Sequence, residues 1–366
     1  MLVPSRPTPN PATLTGRQDS SDGTLNAATL AQQNPTTPTP ITGQTRSSAA
    51  GSGGTSGATG AIWGIAFHRR SSPSCSYMRV RWVDHAPATR MPAGNVSAVP
   101  RVVDVDDPDD PRLDDFRDLN SIDRRPDLPS GKGLVIAEGV LVVQRMLASR
   151  FTPRALLGTQ RRLAELETDL RDCAAPYYRA SAKVMAQVVG FHLNRGVLAV
   201  AARVGEPAVA DLVTGARTIA VLEGVNDHEN LGSIFRNAAG LGVDAVVFGS
   251  GCADPLYRRA VRVSMGHALL VPFARTTQWP AELVMLRDRG FRLLAMTPDS
   301  AALDLSAAMA GVRGEPVAVL VGAEGPGLSR QALSASDVRV RIPMSRGTDS
   351  LNVATAAALA FYERSR

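Results

Sequence analysis

Three short polar segments of this 366-residue chain carry residues that could do chemistry, and each follows an apolar run. Residues 226–240 combine amides, a histidine and Arg236; residues 321–328 combine three glycines with Glu324; residues 342–354 combine hydroxyls with Asn352. Glycines let the backbone approach a ligand closely, and amide and hydroxyl groups can hold its polar atoms. These groups suit a site that binds a polar ligand and positions a reacting group beside it.

Ordinary local structure accounts for part of each segment. Asn230 is a good N-cap for a helix, a solvated side chain explains Arg236, and Ser350 or Asn352 can cap the Ala-rich terminal helix. The glycine spacing in residues 322–327 is neither GxGxxG nor GxxxxGK[ST], which excludes the usual dinucleotide and phosphate-loop fingerprints. Each segment alone is therefore weak evidence for a site.

The elements around these segments alternate between strand and helix. Apolar runs predict six strands in the C-terminal part of the chain, at residues 219–222, 245–248, 269–273, 293–296, 317–321 and 338–342. Strict alternation favours a mostly parallel sheet covered by helices, with ligands at the carboxyl ends of its strands. All three polar segments follow such strand ends, so we expect them to meet.

A smaller α/β unit of about 75 residues, near the lower limit for independent folding, precedes this alternation. The pattern predicts helices at residues 134–147, 161–171 and 182–189, strands at 154–157 and 197–202, and an edge strand at 177–180. We accordingly divide the ordered part into domains at 130–205 and 216–366.

The first part of the chain has a different composition. Residues 1–103 are predicted to be a disordered low-complexity tail, because the first 60 contain no aromatic residue and many Pro, Gly, Ser and Thr. Residues 104–127 carry ten acidic and four basic groups. We interpret residues 104–129 as an acidic linker with a short amphipathic helix that docks on the body or contacts a partner.

Composition limits the class of protein. The sequence has no apolar run of the roughly 18 residues that a membrane helix needs and no apolar signal-peptide core, so we expect a cytoplasmic protein. Three scattered cysteines predict neither a disulfide framework nor a metal site. Only two of the 40 basic residues are lysines. This arginine bias suits a nucleic-acid partner, although a genome rich in arginine codons explains it equally well.

Taken together, in this order and spacing, the three segments resemble the signature motifs of the SpoU/TrmH-type RNA 2′-O-ribose methyltransferases of the SPOUT superfamily. The resemblance covers about residues 217–364, and residues 133–203 resemble the ribosomal-protein-like substrate-binding domain that often precedes them. It implies an α/β fold with a C-terminal trefoil knot, which general rules of chain topology would argue against. It also implies an S-adenosylmethionine cofactor and a homodimer.

The resemblance assigns roles to individual residues. Asn230, Arg236, Ser350 and Asn352 take the catalytic positions, with Arg236 the most direct. The residues implied to bind the cofactor are Gly322, Glu324, Ile342, Met344 and Leu351. The sequence departs from many relatives at Arg346, and His228 and Glu229 precede Asn230, so substrate details do not carry over.

The implied reaction transfers a methyl group from S-adenosylmethionine to a ribose 2′-hydroxyl, which is a poor nucleophile until its proton is drawn off. Arg236 stays protonated, so we expect it to hold a phosphate and stabilise the alkoxide while that phosphate or a water accepts the proton. His228 is a rival base, although a solvated loop histidine is the simpler interpretation. Asn230 would orient Arg236 or the substrate backbone.

RNA is the expected partner. The candidate RNA contacts are Arg258, Arg259 and Arg262, and in a helix Arg258 and Arg262 would share one face. The alternative is an ordinary surface helix that has no role in RNA binding. The preceding domain favours ribosomal RNA over transfer RNA. A non-catalytic RNA-binding protein of the same fold is the alternative from another functional class.

Overall fold

The computed structural model describes residues 101–119 and 132–366. Two β-sheets organise them. The strands are β1 Val102–Asp104, β2 Leu134–Glu138, β3 Pro153–Gly158, β4 Tyr177–Arg179, β5 Val197–Ala202, β6 Thr218–Leu222, β7 Ala245–Phe248, β8 Phe273–Arg275, β9 Arg292–Met296, β10 Leu303–Asp304, β11 Val317–Val321 and β12 Val338–Arg341. The α-helices are α1 Val140–Leu147, α2 Gln160–Leu166, α3 Ala182–Val189, α4 Val209–Leu212, α5 His228–Gly240, α6 Arg258–Val263, α7 Glu282–Asp288, α8 Leu305–Gly311, α9 Arg330–Ala335 and α10 Val353–Ser365.

The first sheet has the order β1-β4-β3-β5-β2 and mixes parallel and antiparallel pairs. One long helix was predicted at residues 134–147, and this prediction is wrong in its first half. Residues 134–138 form β2, all five buried and paired antiparallel with β5. Gly139, with φ of +94°, turns the chain into α1. A continuous apolar run satisfies both a helical and a buried-strand pattern, and here pairing with β5 decides.

The acidic segment contributes to this sheet. Val102–Asp104 forms β1, parallel to β4, although the sequence predicted that the tail extends through residue 103 and that β4 is an edge strand. Asp104 forms an ion pair with Arg179. A 3₁₀ helix at Pro111–Phe116 buries Leu113 and Phe116 completely against the sheet. Residues 104–119 are therefore packed on the small domain rather than forming a free linker.

The second sheet is parallel throughout, with the order β10-β12-β9-β11-β6-β7-β8. Its central strands are almost wholly buried because helices cover both faces. The strand predicted at residues 269–273 lies later in the chain, since His267–Leu269 forms a 3₁₀ turn and β8 begins at Phe273. The other predicted strands match within one residue. The trefoil knot stays a prediction.

The strand order sets the position of any site. From β6 the chain runs outward through β7 and β8, returns to β9, and places β11 between β9 and β6. Leu222 pairs with Val321, so the loops after β6 and β11 leave the sheet side by side. Ligands bind in parallel sheets at the point where neighbouring strands connect in opposite directions. Here that point lies between β6 and β11.

The two sheets share one continuous core. Apolar residues of β2, α1 and β5 belong to the same buried cluster as residues of α5, α6 and β7. An ion pair crosses the same boundary: Arg258 Nη1 on α6 lies 2.9 Å from Glu138 Oε2 on β2, with side chains 18% and 7% exposed. Arg258 also lies over the ring of Phe191. The small domain is thus fixed against the large one by apolar packing and by a largely buried charge pair.

The predictions for residues 1–100 and 120–131 lie outside the described residues. Among residues that are described, no helix combines the length and apolarity required to span a bilayer. The same part of the chain holds no group of three or more side chains arranged to bind a metal ion.

Replacing Glu138 by Ala should destabilise the protein by about 3 kcal/mol, because it leaves the Arg258 guanidinium buried without its carboxylate. Urea unfolding, compared with the unsubstituted chain, measures the change. Glu315→Ala is the matched control, since Glu315 pairs only with the half-exposed side chain of Arg292 among the described residues and its loss should cost under about 0.5 kcal/mol. An equal loss of unfolding free energy in the two variants would show that the Glu138–Arg258 pair stabilises the domain contact no more than an exposed ion pair does.

Candidate functional site

One cavity of about 400 Å³ opens at the carboxyl ends of β9, β11 and β12, on one side of the point between β6 and β11 where the connections diverge. That volume is within the range of small-molecule sites. Residues from the loops after these three strands and from the start of α10 line it: Met296, Thr297, Pro298, Val321, Gly322, Ala323, Glu324, Gly325, Gly327, Ile342, Met344, Ser350, Leu351, Asn352, Val353 and Ala356. The structure therefore brings together all five residues expected to bind a cofactor, with Ser350 and Asn352.

Three side chains from the three polar segments meet beside this cavity, and we call them the amide junction: Asn230, Glu324 and Asn352. Asn230 Nδ2 donates to Glu324 Oε1 at 2.8 Å. Asn352 Nδ2 lies 2.7 Å from Asn230 Oδ1 and 3.1 Å from the same Glu324 oxygen. Residues 94 and 122 positions apart in sequence are thereby linked directly.

The helix caps hold two members of the amide junction in place. Asn352 Oδ1 accepts from the backbone N–H groups of Ala354 and Thr355, so this residue caps α10, one of the two caps that the sequence left open. The predicted cap at Asn230 is wrong. Asp227 caps α5, accepting from the N–H groups of Glu229 and Asn230, and so leaves the Asn230 amide available to the amide junction.

The glycine loop after β11 is folded tightly on itself. Gly327 N–H donates to the Ala323 carbonyl at 3.0 Å, and Gly325 and Gly327 have positive φ. A Cβ added at Gly322 would lie 2.2 Å from the carbonyl carbon of Gly327 and the nitrogen of Leu328. Only glycine fits there, because any side chain would collide with the backbone of the same loop.

Glu223, a residue that the sequence analysis missed, braces this loop from below. It is 8% exposed at the end of β6. Its carboxylate accepts from the indole N–H of Trp279 and, at 2.8 Å, from the Ser329 N–H at the start of α9. Thr297 and Pro298 were missed as well. Both residues directly follow a predicted strand, as the three polar segments do, and this position could have identified them as site residues.

Arg236 lies on an exposed part of α5 and does not line the cavity. Six residues at about 100° each place it roughly 120° around the helix axis from Asn230. The expectation that Asn230 orients Arg236 is wrong in this structure, because the Asn230 side chain bonds to Glu324 and Asn352 instead. The neighbouring Asn237 donates to the Ala354 carbonyl and fixes α5 against α10.

Three of the remaining predicted residues, His228, Arg258 and Arg259, have partners within the protein. His228, expected to be solvated, begins α5 and lies 4.1 Å from the ring of Tyr257. Arg259 pairs with Glu229, which raises the pKa of its guanidinium. Arg258 joins the two domains through Glu138. Contacts of Arg258, Arg259 and Arg262 with RNA stay predictions.

Comparison with known proteins shows which family this chain resembles. Residues 217–362 match the model of the SpoU rRNA Methylase family. A Mycobacterium tuberculosis protein described as an uncharacterised tRNA/rRNA methyltransferase is 79% identical over 72% of this chain and 92% of its own length. The 23S rRNA (guanosine-2′-O-)-methyltransferase RlmB of Vibrio parahaemolyticus is 28% identical over 56% of this chain and 83% of its own.

A solved structure shares the fold. The crystal structure of the AdoMet-bound rRNA methyltransferase from Sinorhizobium meliloti matches 72% of this chain and 97% of its own, with a TM-score of 0.61 and 22% identity. The mycobacterial relative is matched at high identity along nearly all of its length. The family match covers the second sheet and its cavity. This chain belongs to the SpoU rRNA Methylase family and is a methyltransferase of the SpoU type.

Proposed function

We propose that this protein transfers the methyl group of S-adenosylmethionine to a ribose 2′-hydroxyl of ribosomal RNA in the cytoplasm. The observation that carries the proposal is the amide junction, which joins three distant loops beside one cavity. RlmB supports the ribose 2′-oxygen and ribosomal RNA as the target, being a 23S rRNA 2′-O-methyltransferase by name. Family membership supports RNA methylation more generally.

The cavity fits S-adenosylmethionine chemically. Apolar walls from Met296, Val321 and Ile342 suit an adenine ring, and the glycine loop offers backbone groups to its polar edge. When bound, the cofactor supplies an electrophilic methyl group on a sulfonium. Gly322, Glu324, Ile342, Met344 and Leu351 would hold it.

The residues around the cavity supply position and charge. Glu324 fixes the Asn230 and Asn352 amides with one carboxylate oxygen, so these groups meet a substrate already oriented. Ser350 lines the cavity as an exposed hydroxyl that can hold the substrate. Arg236, about 9 Å along α5 from Asn230, holds an RNA phosphate and stabilises the developing alkoxide. The phosphate or a water takes the proton, since a guanidinium remains charged.

The proposal includes a homodimer. The exposed face of α10 presents Leu359, 39% exposed, and Tyr362, 52% exposed, one helical turn apart. A second copy packed on this face would cover both side chains. Light scattering that gives only the monomer mass at micromolar concentration would remove this part of the proposal.

The target is tested by methylating RNA with labelled S-adenosylmethionine. Purified protein should label mycobacterial ribosomal RNA rather than transfer RNA, and nuclease mapping should recover a 2′-O-methyl nucleoside. Label in transfer RNA would favour the second candidate, a tRNA 2′-O-methyltransferase. Cofactor binding without transfer to either RNA would favour the non-catalytic RNA-binding alternative.

Gly322→Ala should weaken S-adenosylmethionine binding at least tenfold, because its Cβ collides with backbone atoms 2.2 Å away and the loop must shift. Calorimetry measures the binding without any RNA. Gly311→Ala is the matched control, since a Cβ there meets nothing within 4 Å. Normal affinity in Gly322→Ala would mean that the cofactor does not use the glycine loop.

Arg236→Ala should lower kcat by about 10² to 10³, the usual cost of losing one preorganised donor to a developing negative charge. Its affinity for S-adenosylmethionine should be unchanged, because Arg236 does not line the cavity. The exposed Arg287 on α7 supplies a control in Arg287→Ala. Near-normal methyl transfer by Arg236→Ala would exclude the catalytic assignment.

A further inference from the structure

The helix of Arg236 meets, at one turn, a helix of the small domain that also carries an arginine. Both α1, which carries Arg145, and α5, which carries Arg236, pack against the 3₁₀ turn His267–Leu269. We call Arg145, Arg236 and His267 the junction cluster. It lies where α1 of the small domain meets the methyltransferase domain.

The large domain is shaped to receive Arg145. Its Nη1 donates to the carbonyl of Met265, 120 residues later in sequence. Gly266 follows with φ of +88°, and a Cβ there would lie 3.2 Å from Cβ and Cδ of Arg145. The absence of a side chain at Gly266 therefore lets the arginine lie directly on this turn. Its position is fixed by backbone rather than by another mobile side chain.

The junction cluster concentrates positive charge. Burial lowers the pKa of Arg145, and the nearby charge of Arg236 lowers it further. Burial, followed by the charges of the same two arginines, lowers the pKa of His267 to about 4. Near neutral pH the cluster thus holds two cations and one neutral imidazole, which can still donate one hydrogen bond.

No carboxylate in the described part of the chain balances the charge of either arginine. Within residues 101–119 and 132–366, no carboxylate forms an ion pair with Arg145 or Arg236, and the Met265 carbonyl is the hydrogen-bond acceptor found for the former. Arg258 and Arg259, one helix away, each have a glutamate partner. The partly buried Arg145 is repelled by the charge of the exposed Arg236, and an anion bound by both would relieve that repulsion.

We propose that Arg145 and Arg236 together bind a single RNA phosphodiester, with His267 at the edge of that site. Guanidinium groups bind phosphate through two parallel N–H donors each, and a phosphodiester has the negative charge that the cluster lacks. The proposal rests on the proposed function, since it takes RNA as the substrate.

The site links recognition by one domain to chemistry in the other. Arg145 belongs to the small domain and Arg236 to the helix that also supplies Asn230. A phosphate held by both fixes the RNA backbone relative to the amide junction. Arg145 is therefore a positioning residue, and its effect should be larger on RNA binding than on cofactor binding.

Filter binding of a labelled 23S rRNA transcript tests the site, because phosphate contacts are largely independent of sequence. Arg145→Gln and Arg236→Gln should each weaken binding about tenfold. In the double variant the slope of log affinity against log salt should fall by about one unit, the value for one phosphate. Independent contacts with two phosphates would remove about two units and contradict a shared site.

Controls separate this site from the proposed function. Arg292→Gln, which removes a half-exposed arginine paired with Glu315 at the amino end of β9, should change neither affinity nor slope. Melting and S-adenosylmethionine calorimetry report folding of each variant, and the exposed Arg236 carries the test if Arg145→Gln is unstable. If the unsubstituted protein methylates RNA while both variants bind it normally, the junction site is wrong and the proposed function stands.

Discussion

The site depends on one carboxylate oxygen. Glu324 Oε1 accepts hydrogen bonds from the amides of Asn230 and Asn352, which lie at the starts of the helices that follow two other strands, β6 and β12. A carboxylate is acceptor-only, so a single oxygen can align two donors that would otherwise have to bond with water. This arrangement is possible because the strands are parallel and their carboxyl ends lie at one level. The hydrogen bonds of the amide junction therefore require the parallel strand order of the second sheet.

The tight backbone packing around the junction follows from the same constraint. Gly224, at the end of β6, would place a Cβ 2.8 Å from the Cβ of Ala323, and Gly322 admits no side chain either. Loops from adjacent strands leave the sheet only about 5 Å apart, and where they come into direct contact a glycine leaves room for the side chain opposite. Glu223 then anchors the glycine loop through Ser329. Rigid support of this kind lets exposed amides keep a fixed orientation.

Sequence patterns predicted the second sheet well and the first less well, for a physical reason. A buried parallel strand such as Val317–Val321 is a short apolar run between polar turns, which identifies it without tertiary information. Residues 134–147 form one longer apolar run, and only pairing with β5 and the turn at Gly139 divide it. The three loops were identifiable as site segments from their residues. The bonds among them were not, because partners 94 and 122 residues apart leave no local signal.

The distribution of arginine partners adds a distinction that composition could not supply. Arg258 was a candidate RNA contact by its charge and spacing, yet Glu138, 120 residues earlier, engages it between the domains. Nothing in the sequence singles out Arg145, yet its helix and the helix of Arg236 meet at the same turn, and among the described residues Arg145 has no carboxylate partner. An arginine whose charge is balanced within the fold gains little from a phosphate, because binding must first compete with its carboxylate. An arginine without a carboxylate partner has no such competitor for the phosphate. The positions of the carboxylates, more than the number of arginines, therefore determine where an RNA backbone can bind.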